Sequence, residues 1–120
     1  MDIFEQIAEN SKLVIKTFPD ADLGFDRDSV AWIDGYIERN RDNWDEETRN
    51  SLASVFGSFL GECICRNLGA FWEQDDHGIA VVFGDGNKAF PFNKTAKQIA
   101  NGSDDSILSF YDSAEQLFCN

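Results

Sequence analysis

A single helical pattern over residues 46–67 limits the possible folds of this chain more than any other feature. Asp45 can cap this helix, and Glu46 and Glu47 follow it where the helix dipole favours negative charge. Gly69 offers a left-handed stop at the other end. The apolar positions form one broad face: Leu52, Val55, Phe56, Phe59, Leu60, Cys63 and Ile64. A helix of this kind needs a second layer to cover it.

After Gly69 the hydrophobic period changes from helical to strand-like, which predicts three short antiparallel strands. The strands are 70–73, 79–83 and 88–92, joined by turns at 75–78 and 84–87. Asp85-Gly86 favours a type I′ hairpin turn between the second and third strands. Because Pro91 has no amide hydrogen, the third strand should lie at an edge or end at that residue.

Four further helices surround this centre. They are predicted over 2–17, ended by Pro19; near 29–41, capped by Asp28 or Ser29; over 94–100, capped by Asn93; and over 105–118, capped by Ser103 or Asp104. The expected fold is a single α+β domain over residues 1–120, since chains divide into separate cores only beyond about 250 residues. In it, a three-stranded antiparallel meander packs against the long central helix, with two helices before that helix and two after the sheet.

Gly57 and Gly61 stand four residues apart on one side of the long helix. Each costs about 1 kcal/mol relative to Ala in a helix interior, so the missing side chains should serve a purpose. We predict a notch where another backbone crosses closely; the alternative is a contact with a ligand or partner.

The charge balance excludes several classes of partner. Twenty-two Asp and Glu against ten Lys and Arg give a formal net charge of −12. Phosphate backbones and anionic membrane surfaces would be repelled, so we expect neither nucleic acid nor membrane binding. The acidic residues favour a basic protein as partner, or they keep the protein in solution.

The amino terminus lacks the basic start and apolar stretch of a signal peptide, and no apolar run reaches the ~18 residues of a spanning helix, which predicts a cytoplasmic location.

Neither the cysteines nor the acidic loop predicts a metal or cofactor. Cys63 and Cys65 diverge by roughly 200° on a helix, so they cannot chelate one ion together, and we expect reduced thiols. Cys63 should face the core and Cys65 the opposite side, while Cys119 near the end is a poor nucleophile.

The acidic loop between the first two helices resembles part of a calcium loop through Asp20, Asp22, Asp26 and Asp28. However, Ala31 stands where a bidentate Glu must close the shell. A solvated loop is expected there.

His77 and Glu62 are the two remaining candidates for chemistry. His77 is the only histidine and lies in a predicted turn, where a solvated side chain is expected rather than a general base. Glu62 lies within the long helix and is expected to pair with Arg66 four residues on. The alternative function is a small-molecule binder or enzyme that uses Glu62 with Trp72 in a groove beside the sheet near Pro91. No catalytic residue is assigned.

The second helix carries the candidate partner-binding residues. Trp32 and Tyr36 are four apart and flank the expected core stripe, with Asp34 and Glu38 alongside. Either the two aromatics belong to the core, or the pair and its acids form a protein-binding surface, because large rigid side chains dominate interfaces while charges select the partner. We therefore predict a non-enzymatic binding module with Trp32, Asp34, Tyr36 and Glu38 at its interface.

Several short motifs carry a resemblance to known proteins. They are Phe56-Gly57-Ser58-Phe59-Leu60-Gly61-Glu62, Gly69-Ala70-Phe71-Trp72, Ala89-Phe90-Pro91-Phe92-Asn93-Lys94, and Asn101-Gly102 with Asp105-Ser106-Ile107. Over roughly residues 29–118 the chain resembles a family of small uncharacterised bacterial proteins. No activity is attached to that family, so the resemblance implies no catalytic residue. In size and acidity the chain also resembles immunity proteins of bacterial toxin systems.

Overall fold

A computed structural model describes residues 2–118 and contains five α-helices and a three-stranded antiparallel sheet, which confirms the predicted α+β class. The helices are α1 (Ile3–Thr17), α2 (Arg27–Asn40), α3 (Glu46–Leu68), α4 (Pro91–Asn101) and α5 (Ile107–Phe118), and the strands are β1 (Phe71–Asp75), β2 (Gly78–Val82) and β3 (Lys88–Ala89). None of the helices in the described part of the chain is both long and apolar enough to cross a membrane.

The helix α3 is one uninterrupted rod, as the sequence predicts. The carboxylate of Asp45 accepts a hydrogen bond from the Thr48 N–H at 2.8 Å and caps its start. Gly69 ends the helix in the left-handed conformation with φ of 72°. The residues from Phe56 to Leu60 are all buried, so the middle of α3 lies in the core.

The sheet has the order β1-β2-β3, so β2 is central as predicted. Trp72, Val81 and Ala89 are cross-strand neighbours, and Val81 and Ala89 are buried in the same core as α3. The predicted third strand is too long, because Pro91 is the first residue of α4 rather than part of β3. A proline suits the first turn of a helix, where its fixed φ is already helical and its missing N–H has no partner to lose.

The predicted starts of α2 and α4 are wrong. The cap of α2 is Asp26, whose carboxylate accepts the Ser29 N–H at 2.8 Å, and not Asp28 or Ser29. Asn93 lies inside α4, because the proline at 91 starts the helix earlier without a side-chain cap.

The start of α5 also differs from the prediction. Residues 103–105 form a short 3-10 turn, so neither Ser103 nor Asp104 caps the helix. Ser106 does so instead, accepting the Ser109 N–H at 3.1 Å. The remaining N–H groups at this end are satisfied by side chains of α2 and α4, which no local pattern could show.

The turn before β3 is not of type I′. That geometry needs a positive φ at both central residues. The φ of Gly86 is 89°, but the φ of Asp85 is not positive. The Gly86 N–H instead donates to the Phe83 carbonyl at 2.9 Å within a longer loop.

The two glycines of α3 form the predicted notch, with one difference. A Cβ on Gly57 would lie 3.0 Å from the Cα of Phe92, so the backbone of α4 crosses α3 closely there. At Gly61 the neighbour is a side chain: a Cβ would lie 2.1 Å from two ring carbons of Trp72. The notch therefore accommodates two aromatic residues, whose ring centroids are 5.7 Å apart.

Candidate functional site

Four aromatic side chains meet where α2 packs on the end of α1 and the start of α3. Trp32 and Tyr36 stack one turn apart, with ring centroids at 5.4 Å and planes 14° apart. Phe18 lies 4.8 Å from each of them, and Trp44 lies 5.9 Å from Tyr36. We call these four residues the aromatic cluster. All four are only partly buried against the core, so they contribute to packing and also present surface to solvent.

Asp34 and Glu38, which the sequence groups with Trp32 and Tyr36, point away from the aromatic cluster. Asp34 Oδ2 accepts hydrogen bonds from the Ser106 hydroxyl and from the Leu108 N–H, the latter at 3.1 Å. Glu38 Oε1 accepts from Gln98 Nε2 at 3.2 Å. Positions two apart on a helix diverge by roughly 200°, so the four predicted partner-binding residues lie on two faces of α2. The acidic face attaches α4 and α5 to α2.

Other acids lie beside the aromatic cluster. Asp20 and Asp22 follow Phe18 in the connection to α2, and Asp28 lies one turn before Trp32 on the same side of that helix. All three are exposed, and none of their carboxylates makes a hydrogen bond or salt bridge to a described residue. Negative charge is therefore available for a ligand at this edge of the aromatic cluster.

These acids do not assemble a calcium shell. The carboxylate of Asp26 is used to cap α2, and Asp22 takes a left-handed conformation with φ of 53°. Among residues 2–118, no group of three or more potential metal-ligating side chains is placed to hold an ion.

Glu62 is bonded through both carboxylate oxygens. Its Oε1 accepts the Trp72 Nε1–H at 2.9 Å, and its Oε2 lies 3.4 Å from Arg66 Nε, which confirms the predicted ion pair. A general acid needs a carboxyl group that is free to exchange a proton with substrate. The contacts of Glu62 instead hold the indole of Trp72 against the notch in α3.

A cavity with a volume of about 620 Å³ lies between α1, α3, α4 and the β1–β2 hairpin. It opens beside Phe92, close to Pro91, but neither Glu62 nor Trp72 lines it. We call it the hairpin groove. His77, in the exposed turn predicted for it, stands at the rim. The described residues that line the groove include no Asp, Glu, Lys or Arg.

The two cysteines of α3 are free thiols. Burial raises the pKa of both Cys63 and Cys65 to about 12, so each is protonated at neutral pH and a weak nucleophile. Cys63 lies in the core as predicted, and Cys65 is partly buried. Cys119 lies outside the described residues.

Exposed carboxylates with ordered partners make stability depend on pH. The Arg27 guanidinium, 2.7 Å from Asp112, lowers the pKa of that carboxyl. Lys88 at 2.6 Å lowers the pKa of Asp75, and the Thr48 N–H lowers that of Asp45. Each group binds its proton more weakly in the folded chain than in the unfolded one. Their contribution to stability is therefore complete above about pH 5 and is lost as the pH falls below the ordinary Asp value near 4.

We expect the Arg27→Gln variant to reveal this dependence. At pH 7 it should melt below the unsubstituted protein, because the bidentate pair with Asp112 is lost. As the pH falls from about 5 to about 3, the difference in Tm should shrink, since Asp112 becomes protonated in both proteins. Circular dichroism melts of dilute samples measure this. A difference that stays constant down to pH 3 would show that the pair does not couple to folding.

No protein-family model, no curated protein and no solved structure matches this chain at a significant level. The resemblance to a family of small uncharacterised bacterial proteins therefore stays a prediction.

Proposed function

We propose that this chain is a non-enzymatic cytoplasmic protein-binding module whose partner is a basic protein, in the manner of an immunity protein that covers a cationic surface. The observation that carries the proposal is the aromatic cluster, which is partly exposed beside Asp20, Asp22 and Asp28. The carboxylates of these three acids have no hydrogen bond or salt bridge to a described residue.

Aromatic residues supply much contact area for little conformational entropy, and they are enriched among residues that dominate binding energy. Stacking of Trp32 on Tyr36 and the inclined contacts of Phe18 with both rings hold the three side chains in place before a partner arrives, which lowers the cost of ordering them. The neighbouring acids would steer a basic partner to this edge and select against acidic proteins.

The proposal also takes α3 as the central element, with two helices before it and two after a sheet that packs against it. Two contacts support this arrangement. The ring of Trp72 lies in the notch at Gly61, and the backbone of α4 crosses at Gly57. In that arrangement Trp32 and Tyr36 of the aromatic cluster sit on the helix α2 rather than on a loop, which suits a binding surface.

A charge-matched pair of variants tests this proposal. Immobilised protein should retain basic proteins from a cell extract at low ionic strength and release them as added salt screens the exposed acids. The Asp20→Asn/Asp22→Asn variant should retain them less. The Asp76→Asn/Asp104→Asn variant removes two exposed acids from a turn and a 3-10 turn elsewhere, so it should bind as the unsubstituted protein does. Trp32→Ala should weaken binding by about tenfold or more.

Two results would contradict the proposal. One is the retention of only neutral or acidic proteins. The other is equal binding by the two double variants, because binding would then depend on the net charge of the protein and not on where the acids lie. A thermal melt of each variant shows whether lost binding reflects lost folding.

A further inference from the structure

The hairpin groove has a preorganised polar wall. Gln6 Nε2 donates to Asn10 Oδ1 at 3.0 Å, Asn10 Nδ2 donates to the Ser58 hydroxyl at 3.3 Å, and that hydroxyl donates to the Ser54 carbonyl at 2.8 Å. Ser58 is fully buried. This chain of hydrogen bonds joins α1 to α3 and fixes two carboxamides at the side of the groove before any ligand binds.

The opposite wall carries two further carboxamides and an imidazole. Gln74 projects from β1, Asn93 from α4 and His77 from the hairpin turn, and none of these side chains makes a hydrogen bond within residues 2–118. On the first wall, the Gln6 carbonyl oxygen and one N–H of each amide group are likewise not used in a protein contact. Donors and acceptors of the amide type thus face the groove from both sides.

The floor between these walls is apolar. Ile7 is 1% exposed, and Ile79 and Phe92 are partly buried. The position of Phe92 is fixed, because its backbone packs against Gly57 of α3. A cavity of about 620 Å³ with an apolar floor and a few convergent polar groups has the dimensions and composition of a ligand site.

We propose that the hairpin groove binds an uncharged, extended peptide segment with apolar side chains. A peptide group presents a donor and an acceptor, and each carboxamide also presents both kinds of group, so a strand of peptide between the walls can bond to amides on both sides. Alternate side chains would then enter the floor beside Ile7 and Phe92.

The charge of the groove selects against ionic ligands. No Lys or Arg lines the groove, and the protein carries a net charge of −12, so a carboxylate would lose hydration and gain amide hydrogen bonds but no ion pair with Lys or Arg. This site differs in position and chemistry from the aromatic cluster, and its existence does not depend on the function proposed above.

The test uses a blocked peptide, acetyl-Leu-Ser-Leu-Ser-amide, titrated into protein labelled with 15N. We expect saturable shifts of the Asn and Gln side-chain amide signals from the groove. The same peptide with Asp in place of Ser should bind at least about tenfold more weakly, because the groove offers no cation. A backbone N-methylated version should also lose about tenfold or more, since it cannot donate to the carboxamides.

Two alanines of α4 supply matched variants. Ala96 is exposed and lines the groove, so Ala96→Phe should fill it and abolish the shifts. Ala100 is exposed one turn later and does not line the groove, so Ala100→Phe should bind normally. Gln74→Ala, on an exposed strand position, should weaken binding without unfolding the protein.

Any one of the following results would overturn the proposal. They are the absence of saturable shifts, equal binding by the two phenylalanine variants, or equal binding of the N-methylated peptide. The last result would show that the groove takes up apolar groups without hydrogen bonds to the peptide backbone. Equal binding of the single residue acetyl-leucine amide would also overturn it, because the site would then take a small neutral molecule and not a peptide chain. A negative result for the groove leaves the binding test of the aromatic cluster unaffected, since that test measures binding at a different surface.

Discussion

Replacing Gly61 with Ala should lower the free energy of unfolding by about 2–3 kcal/mol and the Tm by about 10 °C. The new Cβ would lie 2.1 Å from two ring carbons of Trp72, so the ring must move. It cannot move freely, because its Nε1–H is bonded to Glu62 and its other side packs near Phe92. Ala gains about 1 kcal/mol of helix propensity over Gly, which offsets only part of the clash.

A double-mutant cycle isolates this contact. Phe at position 72 lacks the two ring carbons that the methyl group would meet, so Gly61→Ala should cost much less in a Trp72→Phe background. Chemical denaturation of the four proteins measures the coupling. Additive effects would mean that Gly61 is present for a reason other than the indole.

Gly35 provides the control within the same protein. It lies inside α2, and a Cβ there would meet only the end of the Arg39 side chain, which can move away. Gly35→Ala should therefore leave stability unchanged or raise it by up to about 1 kcal/mol. A loss of stability at Gly35 as large as that at Gly61 would contradict the explanation by close packing.

The Asp34→Ala substitution should also have a large effect and lower the free energy of unfolding by about 2 kcal/mol. One carboxylate oxygen accepts from the Ser106 hydroxyl and the Leu108 N–H, so the substitution removes a cap that α2 supplies to α5. The Leu108 N–H would be left in a partly buried place without an acceptor. Asp34→Asn should cost less, because the amide oxygen can still accept.

Asp104→Ala is the matched control for this prediction. Asp104 is exposed just before α5, and its side chain makes no hydrogen bond or salt bridge among the described residues, so its loss should change stability by less than about 0.5 kcal/mol. Guanidinium denaturation of both variants measures the difference. If Asp34→Ala were as stable as the unsubstituted protein but bound a basic partner less well, Asp34 would act in binding and not in holding α5.

The most accurate predictions concern features that neighbouring residues determine. The length of α3 follows from a local cap, a hydrophobic period and a left-handed glycine, all within one stretch of sequence. The central position of β2 follows from two short turns, because consecutive antiparallel strands pair. The wrong caps at α2 and α4 are errors of two or three residues, where several polar side chains compete for one role.

The candidate site was only partly predictable. The pairing of Trp32 with Tyr36 follows from their spacing of one helical turn. The separate face of Asp34 and Glu38 also follows from helical geometry, although their bonds to residues 60 or more positions away do not. The sequence predicts a groove beside the sheet near Pro91, but not the residues that line the hairpin groove, since its walls come from four elements that are distant in sequence.

The sequence by itself determined the class of fold, the long helix, the central strand and the strongly acidic surface, because periodicity, turn chemistry and charge are properties of neighbouring residues. Tertiary structure alone decided which side chains meet across the core. It placed an indole at Gly61, an α2 carboxylate at the start of α5 and four carboxamides around one groove. Those contacts depend on how helices and strands dock, and docking is set by the combined shape of many side chains rather than by any short pattern.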